Sequence, residues 1–425
     1  GRGSSGHGDK PGRKGSAAGK PSYSAPRNRQ EAEAQWQERI DKAPLPSWGV
    51  LMQDIAAFCS SCSNGPVNAA SAEKAFVYLY QLRRLADKRG AMSEPSIKQE
   101  AGRALRALQH VLTAPAAAAP RPGTAAISNA PVSVAGITIR SSSDDSSSPS
   151  VHHDSGNDLF IDPAMAGVPT TALHLLGPKQ LAQTARALST LAKPWCLGRE
   201  GVAGFGTAVA AAAVTSPRMG PSAGWVSWST LLYSLAAAGM RCDSPRSHLS
   251  HAFERGCRVL LSLGMAGAEG MNIANMVYAA AEAEAELSVV QPLVKVVSDA
   301  LEQGAKLPDA SGQTWSNILL GLAKLRLYEP RLVEQAAANL LQSQPGGQEI
   351  SNGLWALSDL GWHDQEVYDQ LLTMLAQFKA VVMVPQHISN ALLACATAHH
   401  TGPGLQQLLQ AAANIDMSRW PEQER

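Results

Sequence analysis

Three stretches of the chain open on the same pair of residues: Ser316-Asn317 in TWSNILLGLAKLRL, Ser351-Asn352 in EISNGLWALSDLGW, and Ser389-Asn390 in HISNALLACATAHH. A carboxamide holds a donor and an acceptor side by side, so it can pair with the edge of a base or with a peptide group. Weaker copies upstream are anchored at Ala182, Ser229 and Ala274, and there the next residue is Gln183, Thr230 and Asn275. A polar column therefore runs Gln183, Thr230, Asn275, Asn317, Asn352, Asn390. Four residues after each anchor stand Arg186, Tyr233, Tyr278, Leu320, Trp355 and Leu393; rings and a guanidinium can stack on flat groups. Eight after stand Thr190, Ala237, Glu282, Lys324, Asp359 and Thr397, a column whose charge changes from copy to copy. Repeated in this way, the chemistry is that of recognition. The competing explanation is architectural: an Asn recurring at one place can satisfy a neighbouring backbone group, and Trp355 or Tyr278 can fill the gap to the next copy.

Other reactive side chains are isolated in the sequence. His363-Asp364 and His399-His400 read as surface histidines at helix ends, and His152-His153-Asp154 falls in a polar, Ser-rich stretch. None has a partner at the spacing of a metal site or a catalytic triad. Cys59 and Cys62 form a lone C-x-x-C with no second ligand pair to complete a zinc site. Six cysteines in 425 residues argue against a secreted disulfide scaffold. Gly201, Gly204 and Gly206 in GVAGFG follow no strand, so they do not make a phosphate loop. No catalytic residue, metal or cofactor is assigned, and the chain is not expected to be an enzyme.

Helices must position the recognition columns. The six anchors are separated by 47, 45, 42, 35 and 38 residues, with the longer steps upstream. Such drift suits surface insertions in a repeat array. Just before the anchor come Leu181, Trp228, Ile273, Trp315, Ile350 and Ile388; three after come Ala185, Leu232, Val277, Leu319, Leu354 and Leu392. Six after come Leu188, Leu235, Ala280, Leu322, Leu357 and Cys395. These columns share one helical face. Five after, every residue is small: Ala187, Ser234, Ala279, Gly321, Ala356, Ala394. That permits close approach of a neighbouring helix. At about 100° per residue, the three candidate recognition columns lie within about 60° of one another, roughly opposite the core face. Between anchors a second helix is expected, as in EPRLVEQAAANLLQSQ and DQEVYDQLLTMLAQF, with Pro330 at a start and Gly346-Gly347 after an end. One such hairpin cannot bury its own apolar face. About six must stack, and the expected fold is an all-α solenoid.

The rest of the chain divides by composition. Residues 1–30 hold seven Lys/Arg against the single acid Asp9, a Gly/Ser-rich tail that fits either a transit-peptide remnant or a basic arm touching phosphates. Residues 31–112 read as a small helical region with amphipathic spacing in SAEKAFVYLYQLRRLADKRG and IKQEAGRALRALQHVL. An Ala/Pro- then Ser/Asp-rich linker is expected over 113–168, and the solenoid over 169–425. The formal net charge of the chain is +1, so no global field draws it to a polyanion. No run of about eighteen apolar residues predicts a membrane span.

The stretches PQHISNALLACA at 385–396 and ISNGLWALSDLG at 350–361 resemble octotricopeptide repeats, units of about 38 residues found mainly in organellar proteins of green algae. The likeness covers 171–415 and is strongest over the last three copies; Pro385-Gln386 matches the family's Pro-Gln element. The Pro-Pro-Pro-Glu-Trp element of many members is missing. Resemblance implies a modular, sequence-selective binder of single-stranded RNA, acting after transcription on organellar transcripts: their stability, processing, splicing or translation. It also implies a chloroplast location, with the mitochondrion as alternative. The expected partners are that RNA and other RNA-processing or ribosomal proteins. From 171 onward, however, 17 Lys/Arg face 20 Asp/Glu. A basic stripe would need clustering, with Arg241, Arg246, Arg255 and Arg258 as the candidates. That balance keeps open a second expectation, a protein-interaction scaffold or structural subunit of an organellar ribonucleoprotein such as a ribosome.

Overall fold

The computed structural model describes residues 38, 41–42, 44–63, 65–87, 94–117, 132–134, 137–139, 170–191, 199–307, 309–378 and 384–414. The basic tail of 1–30, His152-His153-Asp154 and most of the 113–168 linker lie outside them. In the unit Gly1–Pro44, Lys42 and Glu38 pair in an exposed i,i+4 contact of 2.5 Å. Everything below lies in the unit Leu45–Arg425.

Fifteen α-helices order the described residues of this unit. The first three are α1 (Trp48–Ser61), α2 (Ala69–Ala86) and α3 (Pro95–Thr113). Twelve more form six hairpins. Their first helices carry the anchors: α4 (Pro178–Leu191), α6 (Trp225–Ala237), α8 (Gly270–Glu282), α10 (Gly312–Leu325), α12 (Gly347–Asp359) and α14 (Pro385–Thr397). Their second helices are α5 (Arg199–Thr215), α7 (His248–Leu263), α9 (Leu287–Glu302), α11 (Pro330–Gln342), α13 (Gln365–Ala376) and α15 (Pro403–Ala413). Each first helix packs on the next first helix, and each second helix on the next second helix. The result is a two-layered α-solenoid. In the segment read as a linker, two three-residue strands, β1 (Val132–Val134) and β2 (Ile137–Ile139), pair antiparallel with Val132 opposite Ile139. Their alternating Val-Ser-Val and Ile-Thr-Ile is the usual period-two signal.

Local chemistry sets the helix ends. Proline occupies the first turn of α3, α11, α14 and α15, where a missing N–H costs nothing. The side chains of Asn68, Ser247, Ser311 and Asp364 accept a backbone N–H at the starts of α2, α7, α10 and α13. Each such cap is worth about 1 kcal/mol. Five of the first helices, α6, α8, α10, α12 and α14, stop in one way. Ten residues past the anchor stand Gly239, Glu284, Arg326, Gly361 and His399, with φ of 88°, 56°, 53°, 71° and 52°. The next N–H then reaches back to the carbonyl six residues past the anchor: Met240 to Leu235, Ala285 to Ala280, Leu327 to Leu322, Trp362 to Leu357 and His400 to Cys395, at 2.8–3.2 Å. This is the left-handed, six-to-one closure that satisfies the last carbonyls of a helix.

Packing follows the columns. The residues one before, five after and six after the anchor are buried in all six hairpins. Full burial of a large apolar side chain such as those in the first of these columns contributes about 1.5–3 kcal/mol before ordering costs. The small column is where the preceding helix presses in. A Cβ on Gly321 would meet Val277 Cγ1 at 2.8 Å and the backbone of Val277 and Tyr278 at 3.0 Å.

The N-terminal helices continue the array in space. α2 packs on α4, in the first-helix layer, and α3 packs on α5, in the second-helix layer; α1 in turn lies on α3. The backbone of the following segment ties in as well, with Ala172 N donating to Ala114 O at 2.9 Å and Ala116 N to Thr170 O at 3.0 Å.

Candidate nucleic-acid interface

Burying the apolar columns turns the opposite arc of each first helix outward. Gln183, Thr230, Asn275, Asn317, Asn352 and Asn390 are all half-buried, one per hairpin. None of the six side chains makes a hydrogen bond or ion pair with another described residue. The architectural use of this column, tying down a neighbouring backbone group, is therefore not realised among the described residues. Its donors and acceptors stay available.

The next column is mixed. Arg186 is exposed, Tyr233 is 37% and Leu393 56% exposed, and Tyr278, Leu320 and Trp355 are half-buried. In the third column Ala237, Lys324, Asp359 and Thr397 are exposed, while Thr190 and Glu282 are half-buried.

The middle of the array joins these columns across hairpins. The Tyr233 and Tyr278 rings lie 6.1 Å apart, tilted by 44°. Lys324 Nζ sits 5.1 Å from the centre of the Tyr278 ring and donates to Glu282 Oε1. Arg241 adds weaker contacts, 3.9 Å to Glu282 and 3.7 Å to Glu284. Burial, followed by the charge and hydrogen bond of Glu282, pushes the Tyr278 hydroxyl up to about 12. Burial would raise the Glu282 carboxyl as well, but the Lys324 bond and charge, helped by Tyr278 and Arg241, hold it below its ordinary range. Two residues expected to discriminate, Glu282 and Lys324, are thus engaged with each other. Arg186, Trp355 and Asp359 lie on the same arc outside this cluster and make no side-chain hydrogen bond or ion pair with other described residues.

The four arginines expected to supply a basic stripe are dispersed in their bonding. Arg241 is spent on the acids just named. Arg255 donates to Ser216 O at 3.1 Å, at the end of α5. Arg246 and Arg258 are exposed.

His363 and His399 are exposed, as the sequence reading has them, and His400 corrects it. His400 is no surface residue: its side chain is 0% exposed and bridges His363 Nε2 at 3.1 Å and Asp369 Oδ1 at 3.2 Å. The Tyr368 ring packs 4.8 Å from His363 and 5.2 Å from His400. The left-handed residue His399 turns His400 inward, and hairpin stacking brings together side chains 37 residues apart. A signal was present, since 37 is almost the local repeat step. Asp369 also accepts Gly404 N at 2.8 Å, capping the first turn of α15. The group works as a clasp between the last two hairpins; Cys395, whose carbonyl accepts the His400 N–H at 2.8 Å, lies beside it, its thiol pushed up to about 11 by burial and then the Asp369 charge. At the other end, burial and then the Cys62 charge push the Cys59 thiol up to about 11, which disfavours thiolate chemistry.

A solvent-open groove of about 910 Å³ lies between α11 and α13 in the second-helix layer, away from the recognition columns; Leu341, Gln342, Glu366, Gln370 and Met374 line it. No described helix is long and apolar enough to cross a membrane. No protein-family model matches the chain, and no curated protein matches it.

Proposed function

We propose that the solenoid binds single-stranded RNA along the outward arc of α4, α6, α8, α10, α12 and α14, reading bases in succession and catalysing no reaction. The observation that carries this is the row Gln183, Thr230, Asn275, Asn317, Asn352, Asn390: six half-exposed polar side chains, one per hairpin, none bonded to another described residue. Adjacent helix axes stand about 8–10 Å apart, a spacing an extended strand can follow. A flexible strand offers base edges to such amides and base faces to Tyr233, Tyr278 and Trp355. The likeness to octotricopeptide repeats, with the basic, acid-poor residues 1–30, supports organellar transcripts as the RNA, in the chloroplast or alternatively the mitochondrion.

One observation favours a second reading, a scaffold for other proteins of an organellar ribonucleoprotein. It is the excess of 20 Asp/Glu over 17 Lys/Arg from residue 171 onward, joined by exposed Leu393 and Tyr233 on the recognition arc. Titrating the full chain with a pool of single-stranded RNAs at low salt separates the two. The RNA reading expects saturable binding with sequence preference, weakened about 30-fold or more by Asn317→Ala with Asn352→Ala together, at about 1–3 kcal/mol for each base edge an amide recognises. Flat titrations, or binding indifferent to the paired substitution, would leave the scaffold.

A further inference from the structure

Charge is unevenly spread along the array. From 171 to 268, nine Lys/Arg face three Asp/Glu; from 269 to 425, eight face 17. The first part is therefore +6 and the second −9, although their sum is nearly neutral. Between Glu200 and Asp243 no acidic residue occurs at all.

Within the basic part, Arg255 and Arg258 stand three residues apart on α7, and Arg255 reaches the backbone two residues before Arg218, where α5 ends. Arg255, half-buried on α7, donates to Ser216 O at 3.1 Å. Arg218 follows two residues later in the single turn Pro217–Met219, exposed, and donates to Leu175 O at 3.0 Å. Arg258 is exposed one turn along α7, and its charge acts on Arg255. None of the three pairs with a carboxylate among the described residues. The nearest acid in sequence, Glu254, lies 3.4 Å from His251. Each guanidinium offers five N–H donors in a fixed fork, and a single backbone carbonyl uses few of them. Backbone carbonyls orient Arg218 and Arg255 without neutralising them, so a positive corner persists in a half-dry setting. Arginines at one edge of the array without a carboxylate partner among the described residues suit an added anion, and planar forks match phosphate oxygens.

We propose that Arg218, Arg255 and Arg258 form a phosphodiester-contact site, so that a nucleic-acid backbone is gripped at the first two hairpins while the acidic hairpins from residue 269 stay clear of it. The inference rests on the RNA reading for its natural ligand, but the site itself needs only a polyanion. A strand continuing along the acidic hairpins gains no phosphate contact from them and turns its bases to their outward arc. Anchoring at the basic end leaves the later hairpins to meet bases, or another protein, without holding phosphates.

The test compares the full chain with R218Q/R258Q and, as a control in the acidic part, K295Q/K306Q. Arg255 is left in place because it caps α5. Each is titrated over a range of salt with a short single-stranded RNA and, separately, with inorganic polyphosphate, which has no bases. Each phosphate contact adds about 0.7 to the slope of log affinity against log salt for a single strand. R218Q/R258Q should therefore flatten the slope by about 1.4 with the RNA and flatten it with polyphosphate as well, and K295Q/K306Q should do neither; melting temperatures verify that both variants stay folded. An unchanged slope in R218Q/R258Q, or an equal fall in the control, overturns the site. Salt-dependent binding of polyphosphate that this double variant weakens, with no preference for RNA over it, leaves the site standing and removes the base-reading function. Binding to neither ligand overturns both.

Discussion

The candidate recognition chemistry rests on single residues, and the sequence displays some of it better than the rest. The polar column was legible because Ser-Asn recurs at one register, and its free state follows from the helix arc on which that register falls. The pairing of Lys324 with Glu282 was not, because contact between side chains 42 residues apart depends on how far one helix is staggered against the next. The same holds for His400, whose burial needs the left-handed turn at His399. The Glu282 cluster makes a pH-dependent prediction. Its carboxyl is held below the ordinary range in the folded chain, so its contribution to stability is present above the unfolded value and is lost as pH falls through the folded one. Glu282→Gln should cost up to about 1 kcal/mol at neutral pH, the ceiling for a half-exposed pair. In urea unfolding, the difference from the parent chain should close under acid. A gap that persists or widens in acid would mean the ion pair is not its source.

At the scale of the element, each hairpin repeats two backbone devices that composition hides. The left-handed residue ten past the anchor is glycine only at Gly239 and Gly361; Glu284, Arg326 and His399 hold the same φ without its freedom. A search for a glycine column therefore misses it, although the six-to-one hydrogen bond recurs in all five described copies. A side chain in that region costs about 1–2 kcal/mol. Arg326→Gly, at an exposed position without an ion pair among the described residues, should stabilise the chain by up to about 1 kcal/mol after the added freedom of the unfolded state is subtracted. The small column is the second device. Gly321→Ala adds a good helix former, yet its Cβ would press on the α8 backbone at 3.0 Å, and overpacking of this kind costs about 1–3 kcal/mol. Gly204→Ala, in α5, meets nothing within 4 Å and should gain up to about 1 kcal/mol. Thermal melts of the two alanine variants should move in opposite directions; a shared direction would show that helix propensity, and not helix approach, sets the small column.

Over the whole molecule, stacking decides which apolar surface is covered. Repeat counting found the six hairpins because their anchors share a register, and it left 31–112 apart because 113–168 breaks that register. In space the break is bridged: α2 lies on α4 and α3 on α5, so α4 is an interior helix of the array. An array of this kind is stabilised by neighbour contacts as much as by each hairpin's own core, and an end hairpin opens more readily than an interior one. Removing residues 1–168 would make α4–α5 the end of the array and bare the side of α4 that α2 covers. The shortened chain should melt at a lower temperature, and amide exchange should rise steeply in α4 and α5 while α10–α13 change little. Equal protection of α4 in both chains would show that the first three helices rest on the array without supporting it. Because the basic corner lies in the turn after α5 and on α7, loosening that end should also weaken polyphosphate binding more than it disturbs the acidic hairpins, which ties the electrostatics of the array to the order in which its rungs support one another.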